Sequence, residues 1–251
     1  MINKFRKPPA VPTSCWRCPI KDLTLCQPLK EERLNIVQTF KKGDRILPAG
    51  RHLFRPGEPC PELYNLLDGW VALYQVLQSG DWQILGFALP GAFLGYQPHL
   101  DAPMLYGAEC LTDVAVCVFP RQEFPILIKD HPDLAIRLAQ LNIQATVLAY
   151  DHLTNIGSRS ARARVAHLLL DLCLRLRGGQ VSRYENEIDI PLTQHHIADA
   201  LGLTSVYVSQ TLKQLREQNL LLFKNGRLQI LDAGGLANIA EVDGLNLIEL
   251  P

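Results

Sequence analysis

The sequence predicts an α+β protein in three parts: an N-terminal β-domain of jelly-roll type, one long helix, and a C-terminal helix-turn-helix followed by a β-wing. Three observations predict it. Residues 42–120 carry short apolar runs punctuated by turn residues; a four-three apolar repeat then runs from Leu134 to His152; and Gly202 parts two cappable helical patterns ahead of an Asn225-Gly226 hairpin pair.

Length and composition bound the rest. A chain of 251 residues exceeds the usual single-domain size, so two cores are expected. Hydrophobic residues at 47% and charged residues at 20% exclude disorder for most of it. Residues 1–12 carry Lys4, Arg6 and Lys7 but no apolar stretch long enough for a signal peptide or membrane helix, which predicts a cytoplasmic protein with no membrane partner. Net charge is zero, yet residues 155–232 hold ten basic and seven acidic side chains, a local excess of three. The expected divisions are a Cys-rich segment over 1–28, the β-domain over 29–130, the long helix over 131–157, the helix-turn-helix domain over 158–236 and a tail over 237–251.

In the β-region, Gly43, Gly50, Pro56-Gly57, Asp68-Gly69, Ser79-Gly80-Asp81 and Pro90-Gly91 bound runs at 63–67, 71–77, 84–88 and 114–119. Even spacing of that kind suits antiparallel strands in a sandwich or barrel. Trp70, Tyr74, Trp82, Phe87, Phe93 and Tyr96 are expected in its core, the rival use being the lining of a pocket for a small organic effector.

After Asp130-His131-Pro132, a helix start, Leu134, Leu138, Leu141, Ala145, Leu148 and His152 form one a/d seam over nearly three heptads. Such a seam favours a two-helix coiled coil and so a homodimer; the rival is a helix packed on its own β-domain. Gly157-Ser158-Arg159-Ser160 breaks the helix, and the next runs over 161–177 with Val165, Leu168, Leu169, Leu172 and Leu176 on one face, ended by Gly178-Gly179.

Thr193 can cap a helix to Leu201, and Thr204 a second from Ser205 to about Gln218. The small Ala198 lets the helices approach, Gly202 permits the turn and Val208 packs the second on the first, the steric requirements of a helix-turn-helix. Residues 220–223 and 227–231 then flank the hairpin pair, setting Lys224 and Arg227 near the tip of a wing. The partner this implies is double-stranded DNA. Ser205, Val206, Ser209, Gln210 and Lys213 fall on the exposed face of the second helix, where Gln210 suits adenine, Val206 a thymine methyl, and Ser209 or Lys213 bases or phosphate.

Cys15, Cys18 and Cys26 stand in a C-x2-C-x7-C arrangement on a segment with no other obvious means of folding. Three cysteines within twelve residues favour metal binding over coincidence. A fourth ligand must come from Cys60, Cys110, Cys117 or Cys173, each of which taken singly reads as a buried small hydrophobe. Tetrahedral zinc competes with an iron-sulfur centre, and spacing alone does not choose. No nucleophile-base constellation points to an enzyme: His195-His196 lie on the first helix of the DNA motif and His131 precedes Pro132.

A β-domain, a long helix and a winged helix-turn-helix in that order, with Pro56-Gly57, Asp68-Gly69 and Pro90-Gly91, resembles the Crp/Fnr family across nearly the whole chain. The cysteine triplet with Cys117 in residues 114–120 looks like the Fnr branch, and the seven-residue gap before Cys26 is similar to the alphaproteobacterial version. The resemblance implies a four-iron, four-sulfur cluster on Cys15, Cys18, Cys26 and Cys117, with Cys110 in reserve. It further implies that the cluster drives dimerisation and that oxygen or nitric oxide dismantles it. It also implies a contact with RNA polymerase through residues 79–82, whose rival reading is an ordinary hairpin turn. Cyclic-nucleotide binding is not expected, because residues 90–105 offer Gly95-Tyr96-Gln97-Pro98-His99 and no arginine for a phosphate. Three positions depart from Fnr. Val206 and Gln210 replace a Glu and an Arg, so only Ser209 matches and the operator need not be the Fnr sequence. Ala149 stands in the dimer seam where Fnr has an acidic residue.

Overall fold

Strand-forming runs with buried residues on both faces must be covered twice, and the architecture follows from that requirement. In the computed structural model, which describes residues 14–177 and 187–242, the chain forms two compact units, Met1–Thr146 and Val147–Pro251. The Gly178-Gly179 helix stop and most of the expected tail lie outside the described residues.

The first unit begins with two 3-10 turns, Cys15–Arg17 and Lys21–Leu23, and α1 (Glu31–Phe40). Strands β1 (Gly43–Leu47), β2 (His52–Phe54), β3 (Glu62–Asp68), β4 (Val71–Val76), β5 (Trp82–Ala88), β6 (Phe93–Leu94), β7 (Gly107–Cys110) and β8 (Val114–Pro120) follow. They form two antiparallel sheets, ordered β1-β8-β3-β6 and β2-β7-β4-β5. All of β8 is buried. Its Val114, Val116 and Val118 enter the inter-sheet core with Leu66, Val71 and Ala108, while Ala115, Cys117 and Phe119 join Leu63 and Leu67 in a second core on the opposite face.

That second core is closed by helices and by the N-terminal segment. α1 contributes Leu34 and Val37, α2 (Phe124–Asp130) contributes Phe124 and Leu127, and the first turns of α3 (Pro132–Ser158) contribute Leu134 and Leu138. Neither α1 nor α2 was expected from the sequence: α1 has no side-chain cap at Lys30, and α2 is a seven-residue helix begun at a Phe-Pro pair, too short to show a period.

The Cys-rich segment is pinned by buried side chains and by hydrogen bonds to α1 and α3. Cys15, Leu25 and Leu29 are buried in the second core. The backbone N–H of Cys15 donates to Gln38 Oε1 at 3.1 Å, and Arg137 on α3 donates to the carbonyls of Thr24 and Leu23 at 3.2 and 3.3 Å. Burial of the two leucines stabilises the segment by about 1.5–3 kcal/mol each.

In the second unit α3 runs through Gly157 rather than ending there; the break falls at Arg159-Ser160. Ser160 Oγ accepts from the Ala163 N–H at 3.2 Å and starts α4 (Ala161–Leu176). Then come β9 (Ile188–Asp189), α5 (Gln194–Leu201), α6 (Ser205–Glu217), β10 (Leu221–Lys224), β11 (Arg227–Ile230) and α7 (Ala233–Ile239). The three strands pair in the order β10-β11-β9. Ile197, Ala198, Leu201, Val208, Leu212 and Leu215 bury the α5–α6 junction.

Candidate functional site

Cys15, Cys18 and Cys26, though spread over three turns, line one cavity with Cys117 from β8. Its volume is about 20 Å³, room for about one water. The donor set is all thiol, which suits soft iron or zinc, and anything larger than a water is admitted only if the turn segment gives way. Cys60 and Cys110 lie in the inter-sheet core, behind the β8 sheet, and Cys173 is buried in α4. Among the described residues no three His, Cys, Asp or Glu side chains converge closely enough for a single ion.

Burial raises the Cys15 thiol, pushes Cys26 up to about 12 and raises Cys117 as well, so without metal these thiols are protonated at neutral pH. The Lys41 charge opposes that shift at both Cys15 and Cys117, and Asp44 reinforces it.

The cavity has a polar wall that sequence reasoning missed. Register pairs Asp44 of β1 with Cys117 of β8, and Cys117 with Asn65 of β3, so the three side chains form a row on one face of the sheet. Lys41, from the end of α1, pairs with Asp44 Oδ1 at 2.6 Å, their side chains only 2% and 0% exposed. Asn65 is 1% exposed, and its Oδ1 has no hydrogen-bond partner among the described residues. Lys41 and Asn65 line the cavity, as does Thr24, whose Oγ1 accepts from the Cys26 N–H at 3.1 Å.

The helix-turn-helix is locally determined. Thr193 and His196 form a capping box at α5, Gly202 adopts the left-handed conformation (φ 63°) at the turn, and Thr204 caps α6 by accepting from Tyr207 N–H. Val206, Ser209, Gln210 and Lys213 are exposed on α6, and Ser205 is half-buried. Tyr207, not anticipated from the sequence, is exposed beside Val206. Asn225 and Gly226 both have positive φ, as a type I′ turn requires, and β10 pairs with β11 from Leu221–Ile230 inward. Lys224 and Arg227 are exposed, but Arg227 already pairs with Glu187 at 3.0 Å and Asp189 at 3.7 Å. Lys213 has only a weak pairing with Glu217, at 3.8 Å.

The expected dimer seam is corrected at its start. Leu134 and Leu138 belong to the core of the first unit, and Leu141 packs against it. Leu148 and His152 are half-buried, and Ala145 and Ala149 exposed. The large apolar side chains that α3 leaves exposed are Ile136, Ile143, Val147, Tyr150 and Leu153. They repeat at heptad-like intervals two residues on from the expected seam, about 200° around the axis and so on nearly the opposite face of the helix. An a/d pattern marks a buried stripe without saying whether the same chain covers it.

Of the aromatic side chains offered to an effector pocket, Trp70, Tyr74 and Phe87 are buried, and Phe93 and Tyr96 pack on the second core with Phe124. Trp82 is partly exposed, stacked on Tyr74 at 4.0 Å. Gln97 turns inward: its amide nitrogen reaches the carbonyls of His99, Ala102 and Pro103, and its oxygen accepts from Leu105 N–H. The loop is thereby tied to itself.

A β-sandwich, a long helix and a winged helix-turn-helix define a DNA-binding transcription regulator. The cyclic nucleotide-binding domain family matches residues 44–131, and the Crp-like helix-turn-helix domain family matches residues 163–239. The chain is 31% identical over 230 residues to the nitrogen fixation regulation protein FixK of Bradyrhizobium diazoefficiens, covering 90% of this chain and 93% of that one. It is 27% identical over 224 residues to the transcriptional activator protein FnrL of Cereibacter sphaeroides, covering 87% and 88%. The structure of FixK2 from Bradyrhizobium japonicum superposes with a TM-score of 0.70 at 26% identity, over 78% of this chain and 96% of that one. The chain belongs to the Crp/Fnr family, whose members are transcription regulators rather than enzymes.

Proposed function

We propose that the chain is a cytoplasmic, homodimeric Crp/Fnr-type regulator that senses oxygen or nitric oxide through a four-iron, four-sulfur cluster held by Cys15, Cys18, Cys26 and Cys117. The observation that carries this reading is the convergence of those four thiols, three from the N-terminal turns and one from β8, on one cavity. The all-thiol donor set, with no histidine or carboxylate lining the cavity, suits an iron-sulfur cluster, with zinc as its competitor. When bound, the cluster supplies an oxidant-labile centre. The protein's part is to position the thiols, which would give up their protons on binding iron, in a cavity also lined by the apolar Leu67 and Phe119.

Dimerisation through the exposed face of α3, centred on Ile143, Val147 and Tyr150, sets two α6 helices on a two-fold operator. Val206, Tyr207, Ser209 and Gln210 then read base edges, with Ser205, Lys213 and Lys224 on phosphates. Arg227 serves phosphate only by leaving its two carboxylates. The exposed hairpin turn at residues 79–82 is the face offered to RNA polymerase. Cyclic nucleotide is not the effector, in keeping with the self-tied Gln97 loop.

Iron and sulfide analysis of anaerobically purified protein tests the sensor. A brown protein that bleaches in air, with operator affinity lost on bleaching, is the expected result. A colourless, zinc-loaded or metal-free protein that binds its operator equally well in air sinks it.

A further inference from the structure

The wall of the cysteine cavity holds more polarity than its folding needs. A buried Lys-Asp pair is usually replaceable by apolar residues without loss of stability, and often with a gain. An amide oxygen left unpartnered in a core costs about 1–3 kcal/mol. Both features sit in one sheet face otherwise built of Leu63, Leu67, Ala115 and Phe119, and both border the space on which the four thiols converge.

A cluster bound by four thiolates is a buried anion, and its acceptor-rich sulfurs need donors. From this arrangement we infer that Lys41, held in place by Asp44, and Asn65 are positioning residues for the cluster: the ammonium offsets its negative charge and the Asn65 amide donates to one of its sulfurs. An amide's two ends exchange by a half-turn, so the end that lacks a partner becomes a donor when sulfur faces it. Asp44 fixes the ammonium through the 2.6 Å pair, and the β1-β8-β3 register fixes Asp44 and Asn65 on either side of Cys117. This inference rests on the cluster reading above.

The test uses the full chain reconstituted anaerobically, in the natural form and as Lys41→Arg, Lys41→Met/Asp44→Asn and Asn65→Leu. The double variant removes the ammonium without stranding a buried carboxylate. Iron and sulfide per chain, the cluster's midpoint potential and its rate of bleaching in air are measured. The expected result is a midpoint shifted to more negative potential in Asn65→Leu, which loses a donor to sulfur, and bleaching several-fold faster in both Asn65→Leu and the double variant, with Lys41→Arg keeping natural values. Failure of the double variant to load, with normal loading of Lys41→Arg, also supports the inference. Variants that load and match the natural protein in potential and bleaching overturn it while leaving the cluster reading intact. Loss of loading in every variant, Lys41→Arg included, with lowered melting temperatures, shows a packing role only and overturns it too. A natural protein that takes up neither iron nor sulfide removes the cluster reading and this inference together.

Discussion

One imidazole governs how the DNA-reading motif begins. His196 donates its backbone N–H to Thr193 Oγ1 at 3.1 Å, and its ring Nδ1 accepts the Thr193 N–H at 3.2 Å. Accepting requires a neutral ring, and burial holds its pKa below the ordinary 6.5. A folded pKa below the unfolded one means that the unfolded chain binds protons first. The stability from this box is therefore whole above about pH 6.5 and is lost as pH falls toward the folded value. His196→Gln keeps a box-forming residue and removes the titration. Thermal melts from pH 7.5 to 5.5 should show the natural protein losing up to about 1 kcal/mol more than the variant; identical pH profiles would refute the role. Thr193, Gly202 and Thr204 were legible in the sequence because caps and turns act over three or four residues. Asp44 and Asn65 were not, because only strand register brings them to Cys117, and neither was Lys41, which reaches Asp44 from the end of α1.

At the scale of elements, α3 shows what periodicity can and cannot say. The sequence pattern located the helix to within a residue, but its strongest leucines cover the helix's own β-sandwich, and the exposed stripe lies on nearly the opposite face. The two roles separate by mutation. Leu138→Ala should destabilise the first unit by about 2–5 kcal/mol with little change in dimer affinity. Ile143→Asp should leave the melting temperature nearly unchanged and shift sedimentation toward monomer. If Leu138→Ala dissociates the dimer and Ile143→Asp does not, the stripe has been misassigned. The wing was read in advance because Asn-Gly dictates a type I′ turn, whereas the two-residue β9 left no sequence signal beyond its pairing.

For the whole molecule, zero net charge and an excess of only three positive charges over residues 155–232 leave little long-range attraction as a source of operator affinity. Two readers joined by one dimer must supply it through paired half-sites. Selecting bound sequences from a random pool should give an inverted repeat, and inserting about five base pairs at its centre should weaken binding at least about tenfold by turning one half-site to the far face. Equal affinity for the two spacings, in a gel-shift titration, would show that one half-site suffices.

The N-terminal turns carry the cysteines, yet Leu25, Leu29 and Arg137 hold them down independently of any thiol chemistry. On the cluster proposed above, ligands and anchors are largely different side chains of one short segment. Replacing Cys18 and Cys26, which only border the buried core, would then remove the response while Leu25 and Leu29 stay in place, so that deaf and responsive versions of one regulator lie a few substitutions apart.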